Sequence, residues 1–197
     1  MYTQPADPAD ERDAIAAYLT PAVTSVWHAL DAGRTAADEF FTDERRAYDP
    51  HLWAHITRYE AALSLRAASA GAPWKLKPKH HSGVDLVMEP FVVKLCKAAG
   101  DAPQSTGRNP ARRRFYQQMD MFGGANLLLH WKVEDGELRL GLSKPKGWWK
   151  FKASPKLEWS TDVTFDPLAG LRFTPVAETD ERLILDEDIF GEGEFGG

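Results

Sequence analysis

The chain has 197 residues, 43% hydrophobic and 11% aromatic with seven Trp, and a formal net charge of −5. That composition supplies a sizeable core and excludes wholesale disorder, while the single cysteine, Cys96, excludes an internal disulfide and a cysteine-based zinc cluster. The first residues, MYTQPADPADERD, lack the apolar run of a signal peptide, and no window approaches the roughly 18 apolar residues of a membrane span, so a cytoplasmic protein is expected.

Residues 1–9 are polar and read as a flexible N-terminus. From Asp10 to Leu30 apolar residues recur at Ile15, Tyr18, Leu19, Ala22, Val23, Val26, Trp27 and Leu30, the i, i+3, i+4 rhythm of an amphipathic helix. Pro21 interrupts the run. With Thr20 as N-cap and Pro21 at the first helical position, the pattern predicts a kinked helix or two abutting ones, ending at Gly33. Thr35, with Asp38 three residues on, starts a second helix that buries Phe40 and Phe41 and reaches about Ala47. Asp49 and Pro50 repeat the signal, and a third helix runs through Trp53, Ile56, Leu63 and Ala67 to a stop at Gly71 and Pro73.

Beyond Pro78 the texture changes to short apolar runs bounded by Gly, Pro and Asp, which is strand chemistry: GVDLVME, FVVKLCK, NLLLHWKV, ELRLGLS, GWWKFKA, LEWSTDVTF and LRFTPV. Cys96, inside FVVKLCK, reads as a small buried thiol. The sharpest of these signals is LLLHWKVEDGELRLGL. A two-residue type I′ turn at Asp135-Gly136 sets Val133 opposite Leu138, Trp131 opposite Leu140 and Leu129 opposite Leu142, and on the other side Lys132 opposite Arg139. Like charges directly opposite one another destabilise a sheet, so that side is expected to be wet or to meet an anion. LKPKHH, with Lys77, Lys79, His80 and His81, reads as a loop, as does Ala98 to Ala111 up to the point where Pro110 opens a short Arg-rich helix near 110–122.

Segregated helices and strands predict an α+β fold: about three N-terminal helices (10–72) packed on a mainly antiparallel sheet (82–177) in one domain, 10–185, followed by an acidic, Gly-rich tail, 186–197. The net charge hides a second segregation. Residues 1–66 hold 6 Arg against 11 acids, a charge of −5; residues 67–156 hold 16 Lys and Arg against 7 acids, +9; residues 157–197 hold 2 Arg against 11 acids, −9. Such asymmetry bears on electrostatic partners rather than on fold, and it directs the search for an anion site to the middle segment.

Two stretches there stand out. SKPKGWWKFKASPK, Ser143 to Lys156, holds five lysines and no acid. Read as a strand, it turns Trp149 and Phe151 to the core and Trp148, Lys150 and Lys152 outward; with Lys146 these lysines either keep a sheet edge soluble or surround Trp148 as a stacking platform for single-stranded nucleic acid. In GRNPARRRFYQQM, a helix opening at Pro110 puts Arg112, Phe115, Gln118 and Met119 on one side and Arg113, Tyr116 and Gln117 on another. Its N-terminus, with Arg108, Arg112, Arg113 and Arg114, suits phosphate or carboxylate, and the same arginines could instead pair with the acidic parts of this chain. The expected function is thus a non-enzymatic binding or regulatory protein contacting an anionic partner, foremost nucleic acid, through these residues together with Lys132 and Arg139. An adaptor for an acidic protein is not separable from it on sequence. The enzymatic alternative is a metal-dependent hydrolase or nuclease using His51, His55, Asp85 and Glu89, but the histidines lack the adjacent glutamate of a zinc-protease helix, and Pro90 and the spacing to Lys94 depart from the acid-acid-lysine set of metal-dependent nucleases. No phosphate loop, dinucleotide fingerprint or nucleophile elbow occurs, and no cofactor is expected.

Overall fold

The computed structural model of the protein describes residues 7–41, 44, 49–78, 83–117 and 124–176. Helix α1, Pro8–Phe40, opens where Asp7 accepts a hydrogen bond from the Ala9 N–H at 2.7 Å, with Asp10 and Glu11 in the first turn complementing the helix dipole. The helix therefore begins inside the segment expected to be flexible. It also runs through both predicted breaks. Pro21 lies on the solvent side, so the carbonyl that loses its N–H partner, that of Ala17, sits at an exposed residue. Thr20 and Thr35 do not cap; their hydroxyls bond back to the carbonyls of Ala16 and Asp31 at 3.0 Å. Gly33 is a contact residue instead of a stop: a Cβ there would lie 2.4 Å from the Thr57 carbonyl oxygen of the neighbouring helix. Phe40, expected in the core, is 67% exposed, while Phe41 packs against it. The expected continuation to Ala47 lies largely outside the described residues.

Helix α2, Pro50–Ala68, starts as predicted, with Asp49 accepting from the Leu52 N–H at 2.9 Å and Pro50 in the first turn. It buries Trp53, Ala54, Thr57, Ala61 and Leu65. The small Ala61 lies close to Gly33, and the two together allow the close approach of the two helices.

The strands are β1 (Lys75–Pro78), β2 (Val84–Met88), β3 (Phe91–Ala99), β4 (Ala102–Pro103), β5 (Asn126–Glu134), β6 (Glu137–Pro145), β7 (Leu157–Asp166) and β8 (Gly170–Pro175). They form one sheet in the order β1-β2-β3-β5-β6-β7-β8, with β4 paired to β3. Every pair is antiparallel except β3 and β5, which run parallel because the chain between them crosses over, carrying β4 and helix α3, Pro110–Gln117. The α+β expectation holds. The β5–β6 hairpin has the predicted register throughout, and Asp135 and Gly136 take φ of 51° and 79°, the left-handed pair a type I′ turn requires.

Three strand-level expectations differ. The loop LKPKHH contributes β1, because Leu76 packs against the core and Lys75 and Lys77 alternate outward; Lys79, His80 and His81 lie outside the described residues. The loop 98–111 contributes the short β4. GWWKFKA is not a strand: residues 146–156 form a loop between β6 and β7, broken from the extended pattern by Gly147 at φ 141° and Lys152 at φ 66°. The tail 186–197 lies outside the described residues.

Strand alternation gives the sheet two faces. Leu86, Val93, Leu95, Leu127, Leu129, Trp131, Leu138, Leu140, Leu142 and Val163 form the main core with Ile15, Leu19, Val23, Val26, Leu30 and Leu65 of α1 and α2. On the other face a smaller cluster of Leu128, Tyr116 and Trp149 seats α3 and the 146–156 loop. Cys96 is buried as expected, and burial raises its thiol pKa to about 11. Among the described residues no helix is long and apolar enough to cross a membrane.

Candidate anion-binding surface

Helix α3 is held to the second face of the sheet by its apolar side. The Tyr116 ring lies 5.1 Å from that of Trp149 and its hydroxyl donates to the Gln104 carbonyl at 2.7 Å. The Phe115 carbonyl accepts from Asn126 Nδ2 at 2.9 Å, and the Lys94 ammonium sits 4.3 Å from the centre of the Phe115 ring. At the other end Asn109 caps the helix, its Oδ1 accepting from the Arg112 N–H at 3.0 Å.

The arginines then project from a fixed frame. Arg112 donates to the Ser105 carbonyl at 3.3 Å, and Arg113 donates through Nε and Nη2 to the Gly107 carbonyl at 3.1 and 2.9 Å. The Arg113 guanidinium lies over the Trp148 indole, 4.3 Å from its centre. Arg108 and Arg114 are exposed. The structure thus joins the two basic stretches: the Arg-rich helix and the lysine-rich loop meet at Arg113 and Trp148. It also changes the role of Trp148, which is half-buried with one part of its ring already covered by a cation.

Lys132 and Arg139 differ from the rest. They face each other across β5 and β6 as predicted, but Glu134 stands between them, 3.1 Å from Lys132 and 3.2 Å from Arg139, and Lys132 also pairs with Asp101. Hydrogen bonds donated by its ammonium to Asp101 and then Glu134 raise the Lys132 pKa, and the contact with Lys132 lowers that of Asp101. The repulsion expected between the two cations is answered from within the chain. This pair also sits four residues along β5 from Leu128, about 13 Å from the cluster that seats α3.

For Arg108, Arg112, Arg113, Arg114, Lys146, Lys150 and Lys152 no carboxylate lies within ion-pair distance among the described residues. One further cation, not distinguished by its local sequence, bears on Arg112. Arg58 of α2 has its pKa lowered by burial and by the charge of Arg112, and its Nε is buried with no hydrogen-bond partner. Helical periodicity alone assigns Arg58 to a solvated face; only the tertiary fold brings it toward α3.

Beneath this surface lies a buried polar row unforeseen in the sequence. His130 Nε2 lies 3.1 Å from Ser143 Oγ, which lies 2.9 Å from Ser160 Oγ. Burial, then the Lys132 charge, pulls the His130 pKa down to about 4, so the ring is neutral at pH 7. Gly141 makes room for it, since a Cβ there would lie 2.3 Å from His130 Cε1. Ser143 is fully buried, which leaves this Ser-His contact no access to a substrate.

The four residues of the enzymatic alternative are not brought together. His51 and His55 are exposed on α2, His55 Nδ1 lying 3.0 Å from Arg58 Nη2. Asp85 points to the opposite face of the sheet and pairs with Lys94 at 2.9 Å, and Glu89 is exposed in the turn between β2 and β3. Among the described residues no three His, Cys, Asp or Glu side chains cluster as a metal site requires.

No family model, no curated protein and no solved structure matches this chain. Function therefore rests on the chemistry of this surface.

Proposed function

We propose that this is a non-enzymatic binding protein whose partner is a polyanion, foremost nucleic acid, met by Arg108, Arg112, Arg113 and Arg114 together with Lys146, Trp148, Lys150 and Lys152. The observation that carries the reading is a concentration of charge: seven cations gather around the α3–loop junction with no carboxylate partner among the described residues, whereas Lys94, Lys132, Arg139 and Lys144 each have one. Arg113 is held by Gly107 and Trp148, so part of the ordering cost of recognition is met before a ligand arrives. Arginine forks suit phosphate oxygens, and the exposed lysines add long-range attraction. Lys132 and Arg139 contribute less, because an incoming phosphate must compete with Glu134 and Asp101.

The test is fluorescence anisotropy on a labelled oligonucleotide. Binding is expected near 50 mM salt and should fall steeply as salt rises; with seven cations and about −0.7 per phosphate for a single strand, the log–log slope has a ceiling of about −5. Replacing Arg113 and Arg114 by Ala should reduce the slope by about one to two. No binding at 50 mM salt overturns the reading, and tighter binding to an acidic polypeptide than to the oligonucleotide favours the adaptor instead.

A further inference from the structure

We infer that Phe151, at the tip of the β6–β7 loop, is a base-stacking side chain that directs this surface toward single-stranded nucleic acid; the inference rests on the polyanion reading above. Sequence alternation puts Phe151 in the core beside Trp149. Instead its side chain is 74% exposed. An isolated exposed Phe on a mobile loop would mean little, but this loop is closed and anchored. The Lys146 N–H donates to the Lys156 carbonyl at 2.9 Å across its base, and the Ala153 N–H donates to the Lys150 carbonyl at 3.1 Å at its tip. Trp149, 3% exposed, pins it against Tyr116 and Leu128. Lys152 adopts a left-handed φ of 66°, which reverses the chain just after Phe151. The fold thus holds an aromatic ring out in water.

The surroundings say what suits that ring. Lys146, Lys150, Lys152 and Lys156 are all exposed, the Lys152 ammonium lies 6.0 Å from the Phe151 ring centre, and no acid occurs from Ser143 to Leu157. A duplex keeps its base faces stacked away from such a ring. An acidic peptide would use the lysines but leave the ring wet. A single strand offers phosphates and open π-faces together, the pairing that cationic grooves with aromatic platforms exploit. An anionic lipid surface offers charge and an apolar layer, yet a single Phe buries far less than a myristoyl chain, which alone gives only marginal membrane binding. Trp148 cannot fill the role alone, since Arg113 covers part of its ring. Phe151 is the more exposed of the two, and both sit on the loop that meets Arg113 at Trp148.

The test compares the full chain with Phe151→Ala, Phe151→Leu and Phe151→Trp, using a labelled oligothymidine, a duplex of equal length and phosphatidylserine vesicles. Phe151→Ala should weaken single-strand binding roughly tenfold to a hundredfold with an unchanged salt slope, since no cation is removed. Phe151→Leu should lose nearly as much, and Phe151→Trp should bind at least as tightly as the parent. Because the side chain is exposed, thermal unfolding should be the same in all four. Parent binding to the single strand with Phe151→Ala unaffected overturns this inference and leaves the polyanion reading standing. No binding by the parent overturns both. Vesicle binding that depends on Phe151, with single-strand binding that does not, overturns it in favour of a lipid surface.

Discussion

Replacing His130 by Gln should flatten the acid side of the stability profile. The neutral ring is buried between Cys96 and Gly141 on the second face of the sheet, and its pKa is about 4 against 6.5 for an unconstrained histidine. Below pH 6.5 the unfolded chain takes up a proton that the folded chain refuses, so stability falls with pH until the folded ring also protonates near pH 4. The slope in that window is about 1.4 kcal/mol per pH unit, and the whole effect about 3 kcal/mol. Gln keeps a donor for Ser143 but does not titrate. Urea unfolding followed by Trp fluorescence at pH 7.5, 6.5, 5.5 and 4.5 measures both proteins. At pH 7.5 the variant should be the less stable, because it loses the ring that fills the space over Gly141. By pH 4.5 the gap should have narrowed by about 2–3 kcal/mol. Carboxylates held low in the folded state, such as Asp101 and Asp166, act in both proteins and cancel in the difference. Parallel profiles would refute the claim that His130 stays neutral in the folded protein.

Two further outcomes are expected. Gly33→Ala should destabilise the protein although Ala gains about 1 kcal/mol of helix propensity, because its Cβ would meet the Thr57 carbonyl oxygen at 2.4 Å and force the α1–α2 contact apart at about 1–3 kcal/mol or more; a raised urea midpoint would refute this. Deleting Asp186 to Gly197, which removes five acids, should tighten oligonucleotide binding at low salt and less so at high salt, since a tethered acidic segment competes at an effective concentration of order mM and is screened by salt; equal affinities of the full and shortened chains at low salt would refute it.

What was legible in the sequence follows the range of the interaction responsible. The hairpin register at Asp135-Gly136 is encoded within sixteen residues, and the start of α2 in Asp49 and Pro50, so both are legible locally. Gly33 has the chemistry of a helix stop, but what decides its role is Thr57, twenty-four residues away, and Thr35 lost its cap for the same reason. GWWKFKA has the alternation of a strand, yet Trp149 finds its partner in Tyr116 of α3, and the chain turns away before Phe151 can follow it inward. Of the site, the residue types and their concentration in the middle segment could be read directly. Which cations were already paired could not, because Glu134 and Asp101 reach Lys132 and Arg139 only once the hairpin and the β3–β4 turn are in place.

The same folding step bears on why, among the described residues, the cations of α3 and the 146–156 loop lack carboxylate partners in an acidic chain. The acid-rich N-terminal third becomes α1 and α2 on one face of the sheet, while α3 and the 146–156 loop pack on the other. One described ion pair joins α1 to the sheet, Glu11 to Lys144, and there burial opposes the lysine's charge while hydrogen bonds to Glu158 and Glu11 raise its pKa. Lys144 points toward the helices; the loop that begins two residues later carries its lysines elsewhere. Where α2 comes near α3, the residue it brings is Arg58, which adds repulsion to Arg112 rather than a counter-charge. Within the described residues the sheet therefore sets the acids of α1 and α2 apart from the cations of α3 and the 146–156 loop, while Asp85, Asp101 and Glu134 are engaged by Lys94, Lys132 and Arg139. At physiological ionic strength screening acts over about 8 Å, so acids on the far side of the sheet do little to cancel the field at α3. On the reading proposed above, a polyanion is drawn to that side despite the net charge of −5, and its association should quicken as salt is lowered.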